Sequence, residues 1–291
     1  MPKGYLMFAR YFTSQTLPLV YALVDLALQE DGRDLTSEAV FSSSDVLEAV
    51  IVAKEDTLVV GLPLIAIVLE RMGCQEHAVS LLVTDGARVA CGQTVAHICG
   101  PAPVLLKAER VIMNFIGHLS GVANLTHCFV QAVSGTGVRV LDTRKTMPGM
   151  RYLEKYAVRL GGGYNHRLNL EEMLMLKDNH VDRAGSIAKA VAAVDQAFAR
   201  RPPLEIECRT LEDVREAVAQ HPQRIMLDNM DQDTMKKALT FIPDSIDSEI
   251  SGNVTLDTIL SLAQLGPTFI SIGAITHSAP VADFSMRLQP R

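Results

Sequence analysis

The chain has no excess of positive charge, since its 27 lysines and arginines are outnumbered by 33 acidic residues. A formal net charge of −6 argues against a nucleic acid or another polyanion as its partner. The five cysteines lack CxxC pairs and zinc-ligand spacing, so we expect buried, reduced thiols in a cytoplasmic protein. The sequence also lacks an HExxH motif and a G-x-G-x-x-G fingerprint, which excludes the common zinc peptidases and dinucleotide-binding folds.

The sequence has no apolar run long enough to span a bilayer. Leu58–Leu69 is too short and is bounded by charged residues on both sides. Leu17–Leu28 follows basic residues in the manner of a signal peptide, but Asp25 interrupts it and no small-residue cleavage site follows. We therefore expect an amphipathic helix there and no association with a membrane.

The first 120 or so residues mix helix and strand without a regular order. Residues from Pro103 to about Val133 predict one long helix with a continuous apolar face. Arg110, Asn114 and Gly121 fall at helical spacing along a different line of that helix. Such a line of polar and small residues can meet another surface closely.

After Gly137 the pattern becomes a regular alternation of strand and helix. The predicted strands are Val138–Leu141, Met173–Leu176, Leu204–Ile206, Arg224–Leu227, Ser245–Ile250 and Phe269–Ile272. The predicted helices are Met150–Leu160, Ser186–Arg200, Leu211–Gln220, Asp231–Thr240 and Thr255–Leu265. This alternation predicts a parallel sheet in the form of a (β/α) barrel, with six clear units and one more hidden near the long helix.

A polar, charged or small residue stands at or just after the carboxyl end of each predicted strand. In chain order these residues are Asp142, Arg144, Lys145, Lys177, Glu207, Asp228, Glu249 and Gly273. Loops after neighbouring barrel strands converge at this rim, where barrel enzymes have their active sites. Any single one of them can simply be exposed or salt-bridged, but cationic ends followed by anionic ends favour a site.

The cationic half of this rim suits carboxylates and phosphates, because arginine grips such oxygens with a planar fork and lysine supplies a point charge. Its members are Arg144, Lys145, His166, Arg167 and Lys177. The acidic half, Glu207 and Asp228, suits sugar hydroxyls and a hard divalent cation.

Two clusters of small residues follow late strands. Ser251, Gly252 and Asn253 come after one strand, and Gly273 and Ala274 after the last. Small residues there let backbone N–H groups approach a phosphate, although glycine after a strand is also typical of a plain turn. Together the clusters predict a phosphate site.

Six motifs in the second half of the chain resemble those of the quinolinate phosphoribosyltransferase family. They are DTRKTMPG (Asp142 to Gly149), GGGYNHR (Gly161 to Arg167), LKDNH (Leu176 to His180), EIE (Glu205 to Glu207), LDN (Leu227 to Asn229) and ISIGAITHSAP (Ile270 to Pro280). Weaker likeness extends through AERVIMN (Ala108 to Asn114) and DGARVACGQ (Asp85 to Gln93), so the resemblance covers nearly the whole chain. The molybdenum-transport accessory proteins share the TRK-PG signature but tend to lack the full KDNH and NHR patterns.

The resemblance implies an enzyme of NAD biosynthesis that transfers phosphoribosyl from phosphoribosyl pyrophosphate to quinolinate with decarboxylation. The products would be nicotinate mononucleotide, pyrophosphate and CO2. It also implies an N-terminal α/β sandwich-like domain over residues 1–119, rejoined by the tail 279–291, and an incomplete seven-stranded (β/α) barrel over residues 120–278. The expected assembly is a homodimer with shared active sites and without nucleic acid.

The resemblance assigns roles residue by residue. The quinolinate carboxylates and the pyrophosphate would be bound by Arg144, His166, Arg167 and Lys177, with Thr143 and Lys145 as further substrate contacts. Ribose hydroxyls and Mg2+ would be held by Glu207 and Asp228, which form the predicted catalytic set with Lys177. The ribose phosphate would be held by Ser251, Gly252, Gly273 and Ala274, with Asn253 as an added ligand. Arg110 would come from the neighbouring subunit.

Three other functions are compatible with parts of the pattern. A class I aldolase would use Lys177 for a Schiff base, which borohydride trapping would detect. An accessory protein of the molybdenum-transport type would bind oxyanions without turnover, and a nicotinate phosphoribosyltransferase would need no room for a second carboxylate. The stretch EDGRDLTS (Glu30 to Ser37) is shorter than the family's acidic N-terminal motif, so we assign it no role.

Overall fold

The computed structural model describes residues 8–9, 11–74 and 78–289, and the chain divides into two compact units. The first unit contains the chain up to Leu125, the segment 146–162 and the residues from Thr276 onward. The second contains residues 126–145 and 163–275. The last two residues of the predicted tail, 290–291, lie outside the described residues, as do 1–7, 10 and 75–77 of the predicted N-terminal domain.

The first unit is built on an antiparallel sheet. Its strands are β1 (Val46–Ala53), β2 (Thr57–Leu58), β3 (Ala78–Leu81), β4 (Arg88–Val89), β5 (Thr94–Pro101) and β12 (Phe284–Leu288). The four-stranded sheet has the order β12-β1-β5-β3, and β2 pairs separately with β4. The tail thus returns to the first unit as an edge strand, with Val50 of β1 opposite Arg287 of β12.

Helices supply most of the apolar core of the first unit. They are Leu17–Glu30, Leu35–Val40, Leu64–Arg71, Arg151–Leu160 and the greater part of Ala102–Ala132. Helix Leu17–Glu30 is amphipathic as predicted, since Val20, Val24 and Leu28 are buried one turn apart while other positions stay exposed. In the part of the chain that the structure describes, no helix has both the length and the apolar character needed to cross a bilayer.

The long helix Ala102–Ala132 confirms the prediction for Pro103 to about Val133. Its apolar face is buried at Leu105, Ile112, Phe115, Ile116 and Leu119. On its other line, Arg110 and Asn114 are exposed, whereas Gly121 is buried against the chain's own tail. A Cβ atom at Gly121 would stand 1.9 Å from the carbonyl oxygen of Pro280, so only glycine fits at this contact.

Asp85 is a buried carboxylate in the first unit. It accepts the backbone N–H groups of Gly61 and Leu62 at 3.0 and 2.9 Å and the hydroxyl of Tyr156 at 3.0 Å. Burial outweighs these hydrogen bonds and raises the pKa of Asp85 from 3.8 to about 6. The residue therefore ties three separate segments together and carries a proton more readily than an exposed aspartate.

We expect Asp85 to make the free energy of unfolding fall as pH rises from about 4 to about 6. In this window the folded state holds the proton that the unfolded state has released, so rising pH favours unfolding. A shift from 3.8 to about 6 corresponds to at most about 3 kcal/mol. Urea unfolding measures the free energy of unfolding at each pH. From pH 4 to pH 6 this free energy should change in the destabilising direction for the wild type relative to Asp85→Asn. Equal slopes would contradict the assignment.

The second unit is a parallel sheet with helical crossovers, as predicted. Its strands are β6 (Arg139–Leu141), β7 (Leu174–Leu176), β8 (Leu204–Cys208), β9 (Arg224–Asp228), β10 (Asp247–Ser251) and β11 (Phe269–Ser271). Their order is β6-β11-β10-β9-β8-β7, and all neighbours are parallel. Among the described residues this parallel sheet has no seventh strand, which the sequence predicts near the long helix; beside β6 a single parallel bridge joins Leu141 and Tyr164.

The crossover helices of the second unit are shorter than the sequence predicts. The predicted ones are observed as Ile187–Ala197, Leu211–Val218, Gln232–Leu239 and Ile259–Ala263. Two further short helices, Asp178–Ala184 after β7 and Ala274–His277 after β11, are not among the predicted ones. Capping residues set the starts of three of the predicted helices: Ser186, Thr210 and Asp231 each accept a backbone N–H of the first turn. One predicted crossover helix, Met150–Leu160, is observed as Arg151–Leu160 but groups with the first unit.

Candidate functional site

A pocket of about 400 Å³ opens at the carboxyl ends of the parallel strands in the second unit. Its lining consists of Thr143, Arg144, Lys145, His166, Arg167, Met175, Lys177, Glu207, Met226, Asp228, Asn229, Ser251 and Ser271. These residues belong to or follow all six strands, including β6 and β7 at opposite edges of the sheet. Because the edges of a flat six-stranded sheet would lie about 24 Å apart, one pocket can touch both only if the sheet is curled as in a barrel.

The alternation of side chains along each strand decides which residues reach the pocket. Glu205 and Glu207 share one face of β8, and only Glu207, nearer the carboxyl end, lines the pocket. In β10 the same rule places Glu249 one layer below Ser251. The expectation that Glu249 stands at a strand end is therefore wrong: the strand continues to Ser251, and Glu249 is completely buried inside it.

All five members of the predicted cationic half line this pocket: Arg144, Lys145, His166, Arg167 and Lys177. Burial, followed by the nearby charge of Arg144, lowers the pKa of Arg167. Arg167 also donates from Nη1 to the carbonyl oxygen of Met173 at 2.8 Å, which fixes the direction of its guanidinium. Two arginines held in mutual repulsion favour an anion between them, because the anion replaces that repulsion by two attractions.

Lys177 joins the cationic and the acidic halves of the site. It is the N-cap of helix Asp178–Ala184, so its side chain leaves the backbone directly at the end of β7. Its Nζ donates to Oε2 of Glu207 at 2.7 Å. The lysine side chain is 44% exposed and that of Glu207 only 9%, so the carboxylate depends on this cation for much of its stabilisation.

Asp142 holds the NHR motif beside β6 from a fully buried position. Its Oδ1 accepts the backbone N–H of His166 at 2.8 Å, and its Oδ2 accepts the side-chain amide of Asn165 at 2.6 Å. The sequence placed Asp142 at the rim without a role there. Its position at the start of the DTRK motif was the available signal that Asp142 has a role. The sequence did not reveal the role itself, because the two groups that Asp142 binds lie 23 and 24 residues away along the chain.

The imidazole of His166 has a protein group beside each of its nitrogens. Nδ1 accepts the backbone N–H of Arg167 at 2.7 Å, which assigns the ring proton of the neutral form to Nε2. Nε2 lies 2.9 Å from Oε2 of Glu205 and 3.8 Å from Oε2 of Glu249. Direct contact between His166 and a substrate oxygen, as the sequence predicts, would require one of these contacts to break.

A charged cluster lies beneath the pocket, inside the sheet. Nη1 of Arg224 is 2.8 Å from Oε2 of Glu249 and 3.9 Å from Oε2 of Glu205. Burial raises the pKa of both carboxyl groups to about 7, and the charge of Glu205 adds to the rise at Glu249. Together with His166 these carboxylates have ligand atoms within 4.8 Å of one another, as a metal site would. Arg224 already supplies the positive charge that a metal ion would bring.

The predicted magnesium ligands, Glu207 and Asp228, both line the pocket. Mg2+ takes carboxylate oxygens, usually one or two, and completes its shell with waters and substrate phosphates. Two carboxylates on an open rim fit that donor set. Asp228 is oriented by the side-chain amide of Asn229, whose Nδ2 donates to Oδ2 of Asp228 at 2.8 Å.

The structure brings most of the predicted site residues together. Those that line the pocket are Thr143, Arg144, Lys145, His166, Arg167, Lys177, Glu207, Asp228 and Ser251. Four others follow β10 and β11 without lining it: Gly252, Asn253 and Gly273 lie in loops, and Ala274 begins the short helix Ala274–His277. Arg110 belongs to the first unit, where it is exposed on the long helix.

Comparison with family models gives matches over nearly the whole chain. Residues 34–120 match the N-terminal domain of quinolinate phosphoribosyl transferase, and residues 122–287 match its C-terminal domain. The boundary between the two matches falls within the long helix.

Similar proteins are found in bacteria and plants. A probable nicotinate-nucleotide pyrophosphorylase [carboxylating] of Bacillus subtilis is 40% identical over 87% of this chain and 87% of its own length. The chloroplastic nicotinate-nucleotide pyrophosphorylase [carboxylating] of Arabidopsis thaliana is 38% identical over 92% of this chain and 82% of its own. The crystal structure of NadC from Streptococcus pyogenes has a TM-score of 0.89 at 37% identity, covering 95% of this chain and 99% of that one.

Proposed function

The chain belongs to the quinolinate phosphoribosyltransferase family, and we propose that the pocket of the second unit is its active site. The enzyme transfers phosphoribosyl from phosphoribosyl pyrophosphate to quinolinate with decarboxylation, which yields nicotinate mononucleotide for NAD biosynthesis. The observation that carries the assignment of the site is the meeting of Arg144, Arg167 and Lys177 with Glu207 and Asp228 in one pocket.

The cations account for the anionic groups of both substrates. Quinolinate carries two carboxylates, and pyrophosphate gains negative charge as it leaves the anomeric carbon. The forks of Arg144 and Arg167 fit such paired oxygens, and Lys177 adds a point charge beside them. Because these groups are in place before substrate arrives, they stabilise the developing charge without reorganisation.

The carboxylates account for the cationic sugar. The ring nitrogen of quinolinate attacks the anomeric carbon while the bond to pyrophosphate breaks, so positive charge builds on the ribose. Glu207 and Asp228 face this charge, and they can also accept hydrogen bonds from the ribose hydroxyls. The same two residues would hold Mg2+, which supplies charge neutralisation for the leaving pyrophosphate when bound.

Decarboxylation follows from the chemistry of the intermediate. Once the ring nitrogen is quaternised, the carbon–carbon bond to the adjacent carboxylate can break with release of CO2. The electron pair stays on the ring carbon, stabilised by the neighbouring pyridinium, and this carbon then takes a proton. The protein's part is to hold the carboxylate in the pocket while this occurs.

The decisive assay follows CO2 release and nicotinate mononucleotide formation from quinolinate, phosphoribosyl pyrophosphate and Mg2+. Nicotinate serves as the parallel substrate that lacks the second carboxylate. We expect product from quinolinate and not from nicotinate. Binding of both substrates without turnover would overturn the proposal in favour of an accessory role.

The relatives from Bacillus subtilis and Arabidopsis thaliana are named for pyrophosphorylase activity, which leaves the transport and aldolase hypotheses without support.

We further propose a homodimer in which each active site takes Arg110 from the neighbouring subunit. The proposal is supported by the exposure of Arg110 and Asn114 along one line of the long helix. Exposed polar side chains aligned along one side of a helix are suited to contact with a second copy of the chain. The five free thiols, in turn, support a reducing cytoplasmic location.

Mixing two inactive variants tests the shared site. Arg110→Ala and Lys177→Ala should each lose activity alone. When the subunits are exchanged, half of the dimers are hybrids with one intact site, so about a quarter of wild-type activity should return. The control is the same mixture without subunit exchange. No recovery after proven exchange would place Arg110 in the same site as Lys177 of its own chain, or outside the site altogether.

A further inference from the structure

We propose that Asn229 is a positioning residue for the ribose-phosphate end of the pocket, where it fixes Asp228 and the turn Ser251–Asn253 in one arrangement. The inference rests on the proposed function for the identity of the ligand. Its physical basis is the set of contacts that one side chain and one backbone N–H make across two strand ends.

Asn229 connects the ends of the neighbouring strands β9 and β10. Its Nδ2 donates to Oδ2 of Asp228 at 2.8 Å, and its Oδ1 accepts from Nδ2 of Asn253 at 3.3 Å. Its backbone N–H donates to the carbonyl oxygen of Ser251 at 3.0 Å. The carboxylate of Asp228 can only accept, so the amide of Asn229 has one orientation. The side chain therefore links the predicted sugar-binding carboxylate to the predicted phosphate turn.

The backbone of both loops is shaped for this link. Asn229 and Asn253 have φ angles of 52° and 51°, in the left-handed region that asparagine enters more readily than most residues. Between them, Gly252 has a φ of 101°, and a Cβ atom there would stand 2.1 Å from Oδ1 of Asn229. Residue 252 must therefore be glycine as long as the amide of Asn229 occupies this place.

The arrangement has a consequence for binding. Phosphoribosyl pyrophosphate places its hydroxyls and its 5-phosphate at a fixed separation, so Asp228 and the turn after Ser251 must be held at a matching distance. Without the side chain of Asn229, Asp228 loses a charge-assisted hydrogen bond and Asn253 loses its acceptor, while the backbone N–H of residue 229 still donates to Ser251. The loss concerns phosphoribosyl pyrophosphate alone, because the proposed quinolinate contacts are made by Arg144 and Arg167.

The test uses glycine substitutions, which keep the left-handed backbone accessible while they remove the side chain. Asn229→Gly should raise KM for phosphoribosyl pyrophosphate at least ~10-fold and leave KM for quinolinate within about twofold. Asn253→Gly should have a smaller effect of the same kind, since it removes only a long bond between neutral amides. Asn229→Asp keeps the size of the side chain but loses the donor, so it should not restore binding.

The matched control is His221→Gly. His221 has a φ of 50°, is exposed and precedes β9 at the strand end opposite to the pocket. This variant should keep both KM values. Near-normal KM for phosphoribosyl pyrophosphate in Asn229→Gly, or an equal rise for both substrates, would overturn the inference.

Calorimetric binding of phosphoribosyl pyrophosphate, with Mg2+ present and quinolinate absent, separates this inference from the proposed reaction. If the wild type binds it at least ~10-fold more tightly than Asn229→Gly, the inference holds whether or not product forms. Product formation by the wild type with unchanged affinity in Asn229→Gly would overturn the inference alone. A wild type that neither binds nor reacts would overturn both.

Discussion

Lys177→Ala is expected to lower kcat/KM at least ~100-fold, which corresponds to about 2.7 kcal/mol of transition-state stabilisation. The substitution removes a cation from the anionic end of the substrates. It also leaves Glu207, whose side chain is only 9% exposed, without the ammonium group 2.7 Å away. Steady-state assays with quinolinate and phosphoribosyl pyrophosphate measure the effect.

Two controls make the result for Lys177 specific. Lys236→Ala removes an exposed lysine from the helix Gln232–Leu239 and should leave turnover unchanged. Lys177→Arg keeps the positive charge but replaces the compact ammonium group by a planar guanidinium. It should recover only part of the activity, because a guanidinium does not reproduce the point charge of an ammonium group. Turnover of Lys177→Ala near that of Lys236→Ala would remove Lys177 from the active site.

Arg144→Ala is expected to cause a similar loss, at least ~100-fold in kcat/KM, without a loss of folding stability. Arg144 lies close enough to Arg167 for its charge to lower the pKa of that residue. Removing it relieves repulsion in the empty enzyme and removes attraction in the complex with an anion. Activity and stability should therefore change independently, which is unusual for a structural residue.

Pyrophosphate provides a measurement on Arg144 that does not depend on turnover. Added to the wild type, it should raise the midpoint of thermal unfolding, because it binds the folded state. The rise should be clearly smaller for Arg144→Ala. Arg215→Ala, at an exposed position of the helix Leu211–Val218, should show the full rise. An equal rise in all three proteins would mean that the anion binds elsewhere.

The order of strands and helices in the second unit could be predicted because each element has its own pattern of apolar and polar residues within a short stretch of sequence. Short β-type runs separated by helical segments predicted all six strands, with ends within two residues of those observed. Arg144, Lys177, Glu207 and Asp228 could be assigned to one rim because the carboxyl ends of parallel strands meet at one edge. These inferences need only the position of each residue relative to its own strand.

The error at Glu249 shows the limit of such local inference. A strand boundary placed one residue short moved a buried carboxylate to the rim. What stabilises Glu249 inside the sheet is Arg224, 25 residues away on the neighbouring strand. Pairing at that separation depends on the register between strands, which the sequence of either strand alone does not contain.

The roles of residues that position other residues could not be predicted from the sequence either. Asp142 and Asn229 were visible as members of motifs, but nothing in their spacing revealed which loops they hold. Their partners are brought to them by the curling of the sheet and by left-handed backbone at two loop residues. The return of the segment 146–162 to the first unit also lacked a sequence signal, since its helix has the same pattern as the other crossover helices.

The place of β12 in the antiparallel sheet sets an order of events at the ribosome. β1 and β5 are synthesised before the strands of the second unit, whereas β12, which covers the outer edge of β1, is synthesised after them. Throughout translation of the intervening 230 residues between Ala53 and Phe284, the backbone of β1 presents an open edge that a second nascent chain could pair with. The growing polypeptide is thus open to wrong pairing at β1 until β12 appears, even after every strand of the second unit has been synthesised.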